Sequence, residues 1–377
     1  MRILIVSDIT SNPVDAGNKQ AIMAQVSYFK SLGHEVFYLY VDYRDYEGID
    51  EQIKLMQVQW KDHLFVYQTQ LQKIKVKILN KIHRLFNIES YSCDEFYPWG
   101  LATYINKLYY HYHFDICIVN YYWLTRTFKK IHIPKKVLMT HDCFTYKNIK
   151  TGHDWMSTTP KEEGKAMQRA DYILALQTDE ATYFSYLAPN STVLNIYNFY
   201  NYTFQPITFT KNILFLSGSN PHNIDGITWF IENIFPTIKK EFPSVKLIVG
   251  GSICKKIEHK YNEENIIYKG YVDDIAAFYS LGDVVINPTR NGTGLKIKTF
   301  EALSFGKVTL VHPHSAKGIF NKTSAPLFSS EKSEEWVDFL SKVWSKNGFL
   351  GKIKQDDQDY IESMDNFIKS EYDKMFR

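Results

Sequence analysis

The chain has 377 residues, of which 45% are hydrophobic and 23% are charged, and its formal net charge is +3. These values are ordinary for a soluble globular protein of about two domains, and so small a charge gives no support for a nucleic-acid partner. Four widely spaced cysteines form no metal-binding pattern, which suits a reducing cytoplasmic location. The first residues, MRILIVSDIT, predict a strand rather than a signal peptide, and no apolar run is long enough to span a bilayer.

The first half of the chain alternates strand and helix patterns. The apolar run at 2–7 predicts a strand, followed by a helical pattern that stops at Gly33 and a second strand at 35–41. Further apolar strands are predicted at 115–120, 136–142, 171–177 and 191–198. Continuous apolar runs between helical segments indicate a buried parallel sheet, and the opening unit is typical of a Rossmann-like domain.

The second half repeats this alternation after an aperiodic segment at 198–210, which we interpret as a linker. Strands are predicted at 211–220, 245–251, 265–272, 283–289 and 307–313, with helical segments between them. Beyond about 332 the pattern is helical and polar. We therefore predict an α/β fold with one Rossmann-like domain at 1–205, a second at 206–345, and C-terminal helices at 346–377 that pack back on the first domain.

The segment NGTGLKIKTFEALSFGK (291–307) joins a predicted strand to a predicted helix. Gly292 and Gly294 let the backbone approach a ligand closely, and free N–H groups at a helix start bind anions. Lys296 and Lys298 would be unfavourable beside the positive end of the helix dipole unless an anion lies there. The pattern thus predicts a site for a diphosphate.

Glu301 follows one turn later, where it could accept hydrogen bonds from sugar hydroxyls. The alternative interpretation is a glycine-rich turn with two surface lysines and an exposed Lys298–Glu301 pair. Such a pair contributes only about 0.3–0.5 kcal/mol.

The segment GTGLKIKTFEAL resembles the nucleotide-sugar site of family 4 glycosyltransferases with the GT-B fold. The resemblance continues upstream in order through NILFLSGSNPHNIDGITWFI, FPSVKLIVGG and IIYKGYVDDIAAFYSLGDVVINP, and reaches the first half at THDCF and STTPKEEGKAMQRADYILALQTDEA. It covers most of the chain except about 42–110 and the tail. The fold that it implies has two Rossmann-like domains facing each other across a cleft, the first for the acceptor and the second for the donor.

The resemblance also implies roles for individual residues. Glu301 would hold the ribose of the nucleotide, and Lys296 and Lys298 would act in catalysis by neutralising the departing diphosphate. The other donor-binding positions that it implies are Gly17, Ser217, Gly218, Ser219, Gly270, Tyr271, Val272, Arg290, Asn291, Gly292, Thr293 and Gly294.

Two departures from the family pattern bear on the donor site. Many relatives have a second acidic residue eight positions before the ribose glutamate, where this chain has Thr293. Many also have Arg and Lys after the first strand of the second domain, where this chain reads GSNPHNIDG. The positive charge would then rest on Lys296 and Lys298, with Arg290 as a further candidate. Gly17 stands in a loop where relatives often have two glycines.

His141 and Asp142 end the strand predicted at 136–142, and ligands bind at the carboxyl ends of parallel strands. The resemblance implies that His141 is catalytic and contacts the donor sugar near the reacting carbon as a neutral imidazole. Asp142 would orient the imidazole or meet the acceptor. The alternative for His141 is a purely structural histidine.

The function implied is transfer of a sugar from a nucleoside-diphosphate sugar to a glycan, lipid-linked or other hydroxyl acceptor, with retention at the anomeric carbon. Neither a cofactor nor a metal is expected, because the Asp-x-Asp at 357–359 falls in the polar tail helix rather than after a strand. One alternative is a nucleotide-sugar epimerase or hydrolase, for which no convincing pair of carboxylates is found. Another is a catalytically silent nucleotide-sugar-binding subunit, which the Thr293 departure keeps open.

A basic amphipathic helix is predicted at 72–86, and such a helix can lie on an anionic membrane. Its residues fall into a basic row of Lys73, Lys77, Lys81 and Arg84 and an adjacent apolar row of Ile74, Ile78, Ile82 and Leu85. The alternative, a surface helix with a solvated basic face, is the interpretation that we favour from sequence. We therefore expect a cytoplasmic protein, with peripheral contact to the inner face of the membrane as the second option.

Overall fold

A computed structural model describes residues 1–14, 16–43, 48–151, 156–200, 202–203, 205–292, 294–345 and 348–377, with only the backbone for 150 and 151. These residues form two compact units. The first unit comprises Met1–Phe199 together with Ser370–Arg377, and the second comprises Tyr200–Lys369. The chain thus passes between units inside the predicted linker, and its C-terminal end belongs to the first unit.

The first unit contains a parallel sheet that has seven strands in the described part of the chain. They are β1 (Arg2–Ser7), β2 (Glu35–Asp42), β3 (Leu64–Gln68), β4 (Ile116–Asn120), β5 (Lys135–Met139), β6 (Tyr172–Ala175) and β7 (Thr192–Asn195). Their order across the sheet is β3-β2-β1-β4-β5-β6-β7. The helices are α1 (Gly17–Ser31), α2 (Ile49–Trp60), α3 (Gln70–Leu85), α4 (Leu101–Tyr112), α5 (Lys147–Thr151), α6 (Pro160–Met167) and α7 (Thr178–Leu187).

The second unit contains a parallel sheet with six strands among the residues described. They are β8 (Asn212–Leu216), β9 (Lys246–Gly250), β10 (Ile266–Gly270), β11 (Val284–Asn287), β12 (Val308–Val311) and β13 (Leu327–Ser329), in the order β10-β9-β8-β11-β12-β13. The helices are α8 (Pro221–Trp229), α9 (Phe235–Glu241), α10 (Cys254–Ile257), α11 (Ile275–Tyr279), α12 (Ile297–Ser304), α13 (Ser333–Trp344) and α14 (Phe349–Phe376). A π-helical turn, Phe230–Ile234, joins α8 to α9.

The predicted α/β fold with two Rossmann-like sheets is confirmed. Ile3, Leu4, Ile5 and Val6 of β1 are all fully buried, because helices cover both faces of a parallel sheet. Sequence reasoning missed β3 and β13. Both lie at sheet edges, where one side of the strand has no neighbour and the apolar run is short or only half-buried.

Each sheet has a point where the connections change direction. In the first unit β1 lies between β2 and β4, and in the second β8 lies between β9 and β11. Such switch points open a crevice beyond the carboxyl ends of the strands, where ligands bind in open α/β sheets. Functional side chains are therefore expected in the loops after β1, β4 and β5 of the first sheet and in those after β8 and β11 of the second.

Candidate active site

The start of α12 carries positive charge without a compensating acid in its first turn. Lys296 occupies the N-cap position with φ −83° and ψ 65°, and its side chain makes no capping hydrogen bond. Lys298 lies in the first turn of the helix. Backbone N–H groups and the helix dipole add partial positive charge at the same end, so this arrangement favours an anion.

Lys298 is held by an amide rather than by a carboxylate. Its Nζ donates to Oδ1 of Asn223 at 2.9 Å, and Asn223 in turn donates from Nδ2 to the carbonyl oxygen of Gly218 at 3.0 Å. The pKa of Lys298 is lowered to about 8, chiefly by desolvation; Glu301 acts against this shift and the neighbouring Lys296 adds to it. A bound anion would stabilise the protonated form of this group and raise its pKa.

The loop before α12 is shaped by two glycines and a histidine. Gly292 and Gly294 have φ values of 101° and 77°, which residues with a side chain rarely adopt. The carbonyl oxygen of Gly292 lies 3.3 Å from Nζ of Lys296 and 2.8 Å from Nε2 of His314. Burial lowers the pKa of His314, and Lys296 lowers it further. Thr293 lies outside the described residues.

Glu301 is oriented by a tyrosine on a neighbouring helix. Its Oε1 accepts a hydrogen bond from the hydroxyl of Tyr279 at 2.7 Å. Desolvation raises the pKa of Glu301, while this hydrogen bond and Lys298 act in the opposite direction. Tyr279 is buried at the end of α11. Neither Tyr279 nor His314 was identified from sequence, because each acts through a contact between distant segments.

Arg290 and Asn291 point their side chains at an acidic residue of α8. Arg290 donates to the two carboxylate oxygens of Asp225 at 3.0 and 3.2 Å, and Asn291 donates to the same carboxylate at 3.4 Å. The guanidinium also lies 5.9 Å from the ring centre of Trp229. The charge of Arg290 is thus compensated within the second unit, which leaves Lys296 and Lys298 as the cations of the α12 start.

The remaining donor-site candidates lie in loops after β8 and β10. Ser217, Gly218 and Ser219 follow β8, where the backbone N–H of Ser219 donates to Oγ of Ser252 at 3.1 Å. The backbones at Gly251 and Ser217 lie so close together that only glycine fits at position 251. A Cβ there would lie 2.2 Å from the carbonyl oxygen of Ser217.

Three further candidates occupy the end of β10 and the loop that follows it. Gly270 accepts a hydrogen bond from the backbone N–H of Gly251 at 2.6 Å. Tyr271 is exposed, and Val272 packs against the small apolar cluster of the sheet. The loops at the carboxyl ends of β8, β9 and β10 are therefore linked by short backbone contacts.

His141 follows β5 in the first unit and is buried, with 8% of its surface exposed. Its backbone is left-handed, with φ 62°, and its Nε2 lies 2.7 Å from Oδ1 of Asn120 at the end of β4. Burial lowers the pKa of His141 to about 3, so the imidazole is neutral. If Nε2 donates to Asn120, Nδ1 is an acceptor, and this buried atom has no hydrogen-bond partner among the described residues.

Gly17 and His141 belong to the same region of the first unit. Gly17 is the first residue of α1, and the next residue, Asn18, donates from Nδ2 to the hydroxyl of Tyr121 at 2.9 Å. The ring of Tyr121 lies 4.8 Å from that of His141. The predicted loop and the predicted histidine are therefore joined through a single aromatic side chain.

The loop after His141 is held by two carboxylates. Asp142 pairs with Nζ of Lys147 at 2.8 Å and accepts from the N–H of Cys143. Glu163 of α6 accepts from the N–H groups of Phe144 and Thr145 at 2.8 and 2.9 Å. Burial raises the pKa of Glu163, which these hydrogen bonds oppose. Sequence reasoning did not identify this contact, because it joins α6 to a distant loop.

The described residues also bear on metal binding, on the Asp-x-Asp sequence and on membrane insertion. No group of three metal-ligating side chains is present in that part of the chain. Asp357 of the Asp-x-Asp sequence is buried within α14. None of the helices described has the length and apolar character needed to cross a membrane.

Comparison with known proteins gives a family match within the second unit. Residues 210–346 match the family model "Glycosyl transferases group 1". An uncharacterized 44.6 kDa protein in the cps region of Klebsiella pneumoniae is 28% identical over 102 residues, a match covering 24% of this chain and 26% of that protein's own length.

Solved structures resemble the whole chain at low sequence identity. HepE from Anabaena in complex with UDP has a TM-score of 0.69 at 12% identity and covers 100% of this chain and 99% of its own. TarM has a TM-score of 0.68 at 11% identity, with coverages of 100% and 98%. Sucrose-phosphate synthase from Thermosynechococcus elongatus has a TM-score of 0.64 at 12% identity, with coverages of 100% and 99%. These likenesses show the fold, which is GT-B.

Proposed function

The chain has the GT-B fold and its second unit belongs to the group 1 glycosyltransferases, and from this premise we propose that the protein transfers a sugar from a nucleoside-diphosphate sugar to a hydroxyl acceptor. The observation that carries the proposal is the cationic start of α12. Lys296 and Lys298 lie there without an acid in the first turn, beside a glycine-hinged loop. Such a place in the fold is suited to a diphosphate.

In the proposed reaction the bond between the anomeric carbon and the diphosphate oxygen breaks, a bond to the acceptor oxygen forms, and the acceptor hydroxyl proton passes to the leaving diphosphate. Lys296, Lys298 and the N–H groups of α12 stabilise the negative charge that develops on the leaving diphosphate. Glu301, oriented by Tyr279, binds the ribose hydroxyls. The family resemblance supports retention of configuration and a reaction without a metal held by Asp-x-Asp.

His141 is proposed to contact the donor sugar near the reacting carbon. Its neutral imidazole offers Nδ1 as an acceptor for a hydroxyl group, and Asn120 fixes the orientation of the ring. Asp142 is held by Lys147, which supports a role in shaping the loop around His141.

The donor and acceptor classes are suggested by the structures that resemble this chain. HepE structures hold UDP and UDP-glucose, and a TarM structure holds UDP together with alpha-GlcNAc-glycerol. We therefore propose a uridine-diphosphate sugar as the donor to test first. A glycan or lipid-linked acceptor in polysaccharide synthesis is consistent with the partial relative from a cps region. Peripheral membrane contact through 72–86, the second option from sequence, would suit a lipid-linked acceptor.

The proposal is tested by incubating the full chain with labelled UDP-, GDP- and TDP-sugars and candidate acceptors. A labelled transfer product supports it. Release of free sugar, formation of an epimer, or saturable binding without turnover would instead support the hydrolase, epimerase or silent-subunit alternatives.

Variants of the α12 site locate the chemistry. We expect Lys298→Ala and Glu301→Ala each to lower kcat/KM by about 10²-fold or more, because each removes a contact to the leaving group or the nucleotide. Lys255→Ala, which changes an exposed lysine of α10, is the matched control and should leave activity unchanged.

His141→Ala should lower kcat more than donor affinity. Full turnover in the Lys298 and Glu301 variants, with unchanged thermal unfolding, would refute the assignment.

A further inference from the structure

The helix α3 of the first unit exposes a continuous apolar stripe. Thr69 caps its start by accepting a hydrogen bond from the N–H of Gln72 at 3.1 Å, so the helix is anchored at a defined residue. Its inner side, including Val76 and His83, packs into the first unit. The exposed apolar residues on and just beyond the helix are Leu71, Ile74, Ile78, Ile82, Leu85, Phe86 and Ile88.

The spacing of these residues places them on one line. Leu71, Ile74, Ile78, Ile82 and Leu85 follow each other at intervals of three or four, which on an α-helix forms a single stripe opposite the buried side. Leu85 is 73% and Phe86 68% exposed. Single exposed apolar side chains are common on protein surfaces, but a contiguous stripe of them marks an interaction surface.

Basic side chains flank the stripe on both sides. Lys77, Lys81 and Arg84 lie along one flank and Lys75 along the other, and the chain contains no Asp or Glu between 70 and 88. Trp99 is exposed and lies with its ring 5.2 Å from Nζ of Lys75. The surface thus combines an apolar line, a cationic border and an aromatic ring.

Lys73 corrects the basic row predicted from sequence. It is buried and pairs with Asp42 at 2.8 Å, so it holds α3 against β2 rather than contributing to the exposed charge. Sequence reasoning favoured a surface helix with only a solvated basic face. The structure shows that the apolar row is exposed as well, beside Lys77, Lys81 and Arg84.

We propose that the α3 surface, defined as the stripe from Leu71 to Ile88 with Lys75, Lys77, Lys81 and Arg84, docks on an anionic lipid bilayer. The apolar stripe would enter the boundary between headgroups and acyl chains, and the cations would meet the lipid phosphates. A second copy of the chain is a poorer occupant, because an isologous pairing of this surface would bring cations against cations.

A polar cavity lies beside the C-terminal end of the stripe. Its lining residues are Asn80, His83, Arg84, Asn87, Ile88, Glu89 and Tyr91. Arg84 can bind the anionic phosphate of a phospholipid headgroup, and the amides of Asn80 and Asn87 can bind its polar groups, while the carboxylate of Glu89 lines the same cavity. The cavity therefore fits a bilayer that lies along α3 with a headgroup at this end.

The test is flotation of the full chain with vesicles, which requires neither donor nor acceptor and so is independent of the proposed function. We expect binding to vesicles containing about a third phosphatidylglycerol, little binding to pure phosphatidylcholine, and weakening at high salt. Ile78→Asp/Leu85→Asp and Lys77→Glu/Lys81→Glu should each reduce binding to anionic vesicles by about tenfold or more.

Matched controls separate this surface from general stickiness or charge. Val58→Asp replaces an exposed apolar residue of α2, and Lys255→Glu/Lys256→Glu reverses two exposed charges of α10; both should bind as the parent does. The proposal fails if the parent does not float with anionic vesicles, or if the controls lose binding equally. It also fails if Ile78→Asp/Leu85→Asp only dissociates a dimer without affecting lipid binding. Thermal unfolding confirms that each variant is folded.

Discussion

Lys298 illustrates how burial at a helix start couples charge to ligand binding. Desolvation lowers its pKa to about 8, so in the free protein the ammonium group loses its proton at mildly alkaline pH. A diphosphate beside it would stabilise the protonated form and raise the pKa. On the proposed function, the folded protein would bind an anion most tightly below the lowered pKa, and above it binding would be accompanied by proton uptake.

Titration calorimetry of UDP binding should reveal this proton. Near pH 9 we expect proton uptake, seen as a dependence of the binding enthalpy on the ionisation enthalpy of the buffer, and affinity that decreases as the pH rises beyond about 8. Lys298→Met, which removes the charge but keeps the chain, should bind more weakly and lose the pH dependence. Buffer-independent enthalpies for the parent protein near pH 9 would contradict this account.

At the scale of elements, two helices each bury a carboxyl group in surroundings that the sequence pattern did not predict. Glu163 of α6 reaches back to the loop after β5 and accepts hydrogen bonds from its backbone. Asp357 of α14 is different, because both of its carboxylate oxygens are buried and have no hydrogen-bond partner in the described part of the chain. Burial raises its pKa well above the usual value, and the nearby Asp356 raises it further.

Asp357→Asn should therefore stabilise the protein in a pH-dependent way. The folded state holds a proton on Asp357 that the unfolded chain releases above its ordinary pKa of 3.8, so the native protein loses stability as the pH rises from that value. We expect the variant to gain about 1–3 kcal/mol in the free energy of unfolding near neutral pH and almost nothing near pH 4. Urea unfolding at both pH values measures this.

Asp359→Asn, on the exposed side of the same helix, provides the control and should show little change at either pH. A gain for Asp357→Asn that is equal at the two pH values would mean that ionisation is not its cause.

At the scale of the whole molecule, the first unit is completed by the end of the chain. Tyr372 is buried there, and its hydroxyl accepts from Nε2 of Gln25 at 3.0 Å. The ring of Tyr372 packs edge-on against that of Phe29, with the ring centres 5.3 Å apart. The ring of Phe376 also packs against Phe29, at 5.4 Å between centres. Glu371 accepts from the N–H of Asn195 at the end of β7. The stability of the first unit thus depends on residues far away in sequence.

Tyr372→Ala should destabilise the first unit by about 3–5 kcal/mol, because it leaves a cavity between α1 and the end of α14. Hydrogen exchange with peptide resolution should show faster exchange in β1–β7 and unchanged exchange in β8–β13. Lys369→Ala, an exposed neighbour, is the control and should leave both sheets protected. Equal loss of protection in the two sheets would refute the division of the chain into these units.

The sequence by itself determined most strands of the two sheets, all but the edge strands β3 and β13, and the cationic helix start. Uninterrupted apolar runs specify buried parallel strands wherever they occur, so β1 was found residue for residue. Glycines followed by Lys296 and Lys298 predicted a cationic helix start through local backbone geometry and charge, and α12 begins where this pattern placed it. These features are encoded within a few consecutive residues, which is why they can be recognised without a structure.

Only the tertiary structure decided which side chains meet. The pairing of Lys73 with Asp42, of Arg290 with Asp225 and of Tyr279 with Glu301 joins residues on different elements. The unpartnered Nδ1 of His141 likewise depends on its position beside Asn120 at the ends of two adjacent strands. Whether a charge is neutralised, exposed or desolvated follows from the order of strands and the packing of helices, and neither is a property of a local stretch of chain.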